Sequence, residues 1–367
     1  MSGTRSLAES GDGDESNRRE GILARLPDPT NLFLLGFISI PGYLFPSLRP
    51  LQRFALFFLF GMWPFVRGVL PSFGGDEEDP TDWIAIGGKS YTRRSRLSLL
   101  MLQLNPFVFV QGVLQFAGHV PILLRYRGRL PNPDRFEQSG SYRLPFGDAP
   151  VRGGSIDDGM TATNGGTWAV VNGSPTREHS HSWSILTQRY AYDFVITDDE
   201  GRTHVGDGSH PEQYYCYGEP ILAPADGVVV EAHDGHRDGP RAGGWLDLRQ
   251  RNILGNHVTI EHADGEYSVS AHLQRGSVAV TEGDRVERGQ RVGRCGHSGN
   301  STEPHLHFHV QDRPNFYLGM GLPIRFDEVR TTTEDGAATG GGPRTNEEEA
   351  VETRYISAGQ RVVSDSE

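Results

Sequence analysis

The sequence predicts a C-terminal all-β domain, a compact antiparallel sheet or sandwich, behind N-terminal α-helical membrane segments. Three observations carry this. Between residues 255 and 310, short apolar alternations (His257-Val258-Thr259-Ile260, Tyr267-Ser268-Val269, Ser277-Val278-Ala279-Val280) are separated by Asp-Gly, Glu-Gly-Asp and Arg-Gly turns. That spacing belongs to closely packed antiparallel strands. Near the N-terminus, Leu32 to Leu48 and Phe54 to Val66 are apolar runs without a charge, each close to the ~20 residues that span a bilayer. Both ends of the chain are polar and rich in Gly, Ser, Asp or Glu.

In order, residues 1–30 read as a disordered tail, since no short apolar core precedes a small-residue cleavage site. Residues 31–124 read as a membrane-associated helical region. Its first two runs form a hairpin, with lipid as the partner of residues 32–70. Pro41, Pro46 and Pro64 are tolerable there when neighbours satisfy the freed carbonyls. A third stretch, Leu97 to Leu124, is less apolar. Gln103, Gln111 and Gln115 share one helical face, so residues 97–124 either cross or lie against the interface or the hairpin. Three crossings from an inside N-terminus would put the C-terminal domain outside the cell, and two would leave it in the cytoplasm. Residues 125–164, rich in Pro, Gly and Arg, read as a linker, 165–326 as the β-domain and 327–367 as an acidic disordered tail.

Net charge is -12, which disfavours nucleic acid as a partner. Cys216 and Cys295 are too few for a disulfide framework and read as buried, inert thiols. Asn172-Gly173-Ser174 is a formal glycosylation sequon followed by Pro175.

The β-rich stretch ends in Pro304-His305-Leu306-His307-Phe308-His309-Val310. On a strand, His305, His307 and His309 point one way and Leu306, Phe308 and Val310 the other. Imidazoles on one face over an apolar layer suit a metal or proton-transfer site.

With Ala271-His272-Leu273, Glu282-Gly283-Asp284-Arg285-Val286, Gly299-Asn300-Ser301 and Ile221-Leu222-Ala223-Pro224-Ala225-Asp226-Gly227 in the same order, the domain resembles the LytM/lysostaphin-type zinc metalloendopeptidases. The likeness covers about residues 166–326 and leaves the apolar segments and tails without a counterpart. It implies a compact antiparallel β-fold with Zn2+ at the floor of a groove and a peptide or protein as substrate. It also implies Asp193 and His307 as metal ligands, with His305 and His272 as the catalytic pair. A catalytic zinc takes three protein ligands from His and carboxylate and keeps a fourth position open. It lowers the pKa of water to ~7, and an adjacent imidazole can take the proton.

The sequence departs from the family at one place. Where the family has its first ligand His, four residues before Asp193, stands Arg189. A guanidinium has no lone pair to give a metal. His181 is expected to supply the third donor, with His179 the alternative, and Arg189 to pair with a carboxylate at the rim. The competing function is a catalytically silent domain whose groove binds or regulates a partner. A biotinyl- or lipoyl-carrier reading fails because Lys89, the sole lysine, lies far outside the domain.

Overall fold

The computed structural model describes residues 29–62, 94–148 except 96, 100 and 103, 166–333 except 178, 181 and 264, and 353–364. The chain divides into two units, residues 1–73 and 74–367. In the first, 3-10 helices over Pro29–Ser39 and Pro46–Met62 flank a short helix α1 (Ile40–Leu44). The Phe37 and Phe58 rings meet edge to face at 5.3 Å, and the Gln52 side chain donates to the Gly42 carbonyl at 3.0 Å. Where membrane α-helices were expected, the described residues of these runs thus form mostly 3-10 helix. Pro41, Pro46 and Pro50 each remove a backbone donor, which interrupts an α-helical ladder. Residues 63–66 of the second run lie outside the described residues. The one described helix long and apolar enough to cross a membrane is α2 (Pro106–Tyr126), in the second unit. It begins with Asn105, whose side chain accepts from the Phe107 and Val108 N–H groups, and ends on Arg127 in the left-handed region.

The second unit is built on a nine-stranded antiparallel sheet. Its strands are β1 (Thr167–Asn172), β2 (Tyr192–Thr197), β4 (Gly227–His233), β5 (Asn256–Ala263), β6 (Glu266–Leu273), β7 (Arg285–Val286), β9 (Leu306–Gln311), β10 (Val329–Thr333) and β11 (Gln360–Ser364). Their order is β10-β11-β1-β2-β9-β6-β5-β4-β7, and a small second sheet pairs β3 (Pro220–Leu222) with β8 (Arg291–Arg294). The expected antiparallel β-domain is present. Period-two alternation sets its core: Leu306, Phe308 and Val310 of β9 are fully buried with Phe194, Ile196, Val258 and Ile260. Each such side chain contributes roughly 1.5–3 kcal/mol on leaving water.

Two sequence-based boundaries need correction. Within the expected linker, Tyr142, Leu144 and Phe146 belong to this core, and Phe146 stacks on Trp168 at 4.1 Å. Buried Glu266 fastens the segment by accepting from the Ser139 and Gly140 N–H groups and the Tyr142 hydroxyl, at 2.6, 2.8 and 2.6 Å. Within the expected tail, β10 and β11 pair along their length and β11 joins β1. Two five-residue strands at the edges of a Gly- and Glu-rich stretch leave too short a period to read.

Candidate active site

Asp193 and His307 are direct cross-strand partners on β2 and β9, and His307 is also opposite Ala271 on β6. Adjacent strands place such side chains ~5 Å apart at Cβ. Here the His307 Nδ1 and Asp193 Oδ1 atoms are 2.8 Å apart, both residues buried. The Asn172 side chain donates to the other carboxylate oxygen at 3.0 Å. The His307 Nε2 atom is buried without a hydrogen-bond partner.

His305 lies one residue before β9, its Nε2 3.8 Å from Asp193 Oδ1. Its Nδ1 is 2.8 Å from the Glu303 carbonyl. A carbonyl only accepts, so Nδ1 carries the proton and Nε2 holds a lone pair. The same logic applies to His272, whose Nδ1 donates to the Ser298 carbonyl at 2.9 Å. The His272 backbone lies in the left-handed region at φ 61°, at an irregularity in the β5–β6 register, and its ring lies 4.7 Å from that of His305. Burial holds the pKa of both imidazoles below the ordinary value. Neighbouring His305 and His307 add to the effect at His272, while Asp193 opposes it at both. Gly299, at φ +76°, admits no side chain, because a Cβ there would come within 2.4 Å of the Gly255 nitrogen. That close approach anchors the Ser298 carbonyl behind His272.

The structure therefore brings Asp193, His307, His305 and His272 together. His181 lies outside the described residues. His179 is exposed, and its carbonyl accepts from Gly173 N–H at 2.9 Å. Arg189 does something other than the expected carboxylate pairing. Its Nε donates to the Trp183 carbonyl at 3.1 Å and its guanidinium lies 5.1 Å over the Trp183 ring, and Ser180 Oγ donates to the Arg189 carbonyl at 3.3 Å. Arg189 thus holds both Ser180 and Trp183. Among the described residues no three His, Cys, Asp or Glu side chains form a metal-holding group. A carboxylate facing an imidazole, with an orphaned buried ring nitrogen, nevertheless fits the donor chemistry of zinc.

Sequence reasoning missed Asn172 as the partner of Asp193. Read only as a formal sequon, the residue is fully buried and closed to glycosylation. Ser298 and Glu303 act through backbone carbonyls, which no residue pattern announces. Two further buried histidines have partners of their own: His309 meets Gln311, and His297 is held between Ser301 and the Arg241 carbonyl. Cys216 and Cys295 are buried free thiols.

A β-domain with a buried carboxylate–imidazole pair beside two further imidazoles is the arrangement against which the relatives can be compared. Residues 214–316 match Peptidase family M23, and the C-terminal domain belongs to this LytM/lysostaphin-type family. The matched span contains His272, His305 and His307 and begins after Asp193. Among curated relatives, the peptidoglycan DD-endopeptidase ShyA of Vibrio cholerae is 33% identical over 109 residues, 29% of this chain and 21% of that protein. The glycyl-glycine endopeptidase ALE-1 of Staphylococcus capitis is 33% identical over 132 residues, 35% of this chain and 31% of that protein. This chain thus spans under a third of either relative's length. The catalytic domain of lysostaphin from Staphylococcus simulans aligns at 21% identity and a TM-score of 0.24, over 43% of this chain and 86% of that one.

Proposed function

We propose that the protein is a membrane-anchored, zinc-dependent endopeptidase that hydrolyses peptide bonds in a cell-envelope or surface peptide or protein. The observation that carries this reading is the buried Asp193–His307 pair with two neutral imidazoles beside it. His181, Asp193 and His307 would hold the metal, and the uncharged runs in residues 32–70 would anchor the chain. A bound zinc supplies Lewis-acid polarisation of a carbonyl and acidifies water.

The remaining steps fall to this chain's side chains. His305 presents the Nε2 lone pair toward Asp193 and takes the proton of the attacking water as general base. His272 holds its Nε2 free in the same way. The proton that His305 takes passes to Nε2 of His272, whose ring lies 4.7 Å from that of His305, and from there to the departing amine. The Ser298 and Glu303 carbonyls fix both tautomers, so neither ring must turn during the reaction. Relatives named for peptidoglycan and glycyl-glycine cleavage support a peptide of the cell envelope as the substrate class.

Arg189 in place of the family's ligand histidine favours a second reading, a silent domain whose groove binds a partner. Metal analysis of the purified chain separates the two. The enzyme reading requires about one zinc per chain, lost in His307→Ala and His181→Ala and kept in His305→Ala. It also requires chelator-sensitive cleavage of a peptide library, abolished in His305→Ala. A chain that binds no zinc at neutral pH would refute it.

A further inference from the structure

We infer that α2 lies in the plane of a bilayer surface and seats the β-domain on anionic headgroups instead of crossing the membrane. Its 21 residues and mean hydropathy of 1.7 satisfy the requirement for a span, with a length of about 31 Å. A spanning helix must meet hydrocarbon, or other membrane-embedded protein, over that length. α2 meets the β-domain instead, from one end to the other. Asn105 donates to the Leu248 and Gln250 carbonyls at 3.0 and 2.7 Å. Gln111 donates to the Arg251 carbonyl and accepts from Ile253 N–H, at 2.8 and 3.0 Å. His119 accepts from Leu186 N–H at 3.1 Å, and Ile122 packs with Leu186, Tyr190 and Met320. Arg125 and Tyr126 both bind Asp312, at 2.7 and 2.8 Å. Loops with polar backbone supply most of these partners, and hydrocarbon cannot solvate them.

The opposite face is apolar and open. Phe109 is 56% exposed, Val110 53%, Leu114 45% and Leu124 74%, with Leu104, 82% exposed, just ahead of the helix and Phe107, 53% exposed, beside Arg251 at its first turn. At its N-terminal end a groove of about 480 Å³ has apolar walls from Met101, Leu104, Phe107 and Leu248, with Arg249 and Arg251 at the same groove. At the other end Arg127 and Arg129 are exposed. None of these four guanidinium groups has a carboxylate partner among the described residues. In a chain of net charge -12, arginines at both ends of an apolar stripe match phosphate headgroups above acyl chains.

The test needs no catalysis, so its failure is distinct from failure of the peptidase reading. Leu104→Cys, Val110→Cys, Leu114→Cys and Leu124→Cys are made singly in the full chain and nitroxide-labelled. The unsubstituted chain serves as control, its two thiols being buried. Immersion depth is read in phosphatidylcholine vesicles containing phosphatidylglycerol. In-plane docking gives four similar, shallow depths, about 5–10 Å below the headgroups. Depths that run through the bilayer centre would overturn the inference in favour of a span. Labels shielded with and without vesicles would assign the face to protein, either a second copy or residues 29–62, and labels that stay in water would remove any partner. Arg249→Glu with Arg251→Glu should move the Leu104→Cys label outward and leave the Leu124→Cys label in place. No movement would remove these arginines from headgroup binding.

Discussion

Glu303 should make the fold more stable at acid pH than at neutral pH. Burial raises its pKa from 4.5 to about 7, with a hydrogen bond from Tyr214 pulling the other way. A carboxyl that binds its proton more tightly folded than unfolded stabilises the fold while both states are protonated. That contribution is complete below about 4.5, declines as pH rises, and is gone above about 7. Each tenfold step in proton affinity is worth about 1.4 kcal/mol, so the span amounts to about 3 kcal/mol. Glu303→Gln keeps the shape and cannot ionise. Urea unfolding of the parent and the variant, both with chelator, is compared at pH 4 and pH 8. Their difference in unfolding free energy should shift by about 3 kcal/mol in favour of Gln at the higher pH. Histidine titrations common to both proteins cancel. A difference that stays within about 1 kcal/mol across the range would mean that Glu303 is solvated or charge-paired, and the reasoning fails.

Further outcomes follow from packing. Tyr142→Phe removes one of the three hydrogen bonds to buried Glu266 and should cost about 1.5–3 kcal/mol, read as a fall in Tm by calorimetry. Gly118→Ala would drive a Cβ to within 1.8 Å of the Tyr317 carbonyl oxygen. It should cost about 1–3 kcal/mol and raise hydrogen exchange at the Leu186 amide, whereas Gly112→Ala, with open space around it, should do neither. Phe308→Ala, which empties a fully buried site, should cost about 3–5 kcal/mol in urea unfolding. A fragment limited to residues 166–326 lacks β10, β11 and the Tyr142 segment, and should unfold less cooperatively than one spanning 104–364 when both are followed by circular dichroism.

What could be read in the sequence followed one rule: patterns with a period of two and sharp turns were legible. The strands from Asn256 to Gln311, the inward Leu306 and Phe308, and the grouping of His272, His305 and His307 all came from local spacing or from motifs built on it. Asp193 was legible only through the family resemblance, since a lone carboxylate on a strand announces no role by itself. What failed was anything decided by a distant partner. Tyr142 and Leu144 looked like linker because the strand ends that bury them lie far along the chain. Of the glutamines of the third apolar stretch, Gln103 lies outside the described residues and Gln111 and Gln115 fall on α2, where Gln111 proved to bind loops of the β-domain near Arg251 and Tyr317. Arg189 seemed to call for a carboxylate, and a carbonyl and an indole ring, six residues back, answered instead.

The ladder between β2 and β9 has a consequence for how this centre tolerates change. Two of its donors are spaced by hydrogen-bonded ribbons, so their separation is inherited from the sheet and insensitive to what surrounds it. The segment ahead of β2 is a tether by comparison, and a tether can be rerouted by a few residues without disturbing the ribbons. Arg189 sits on that tether, off the ribbons, so its side chain leaves the pairing of Asp193 with His307 untouched.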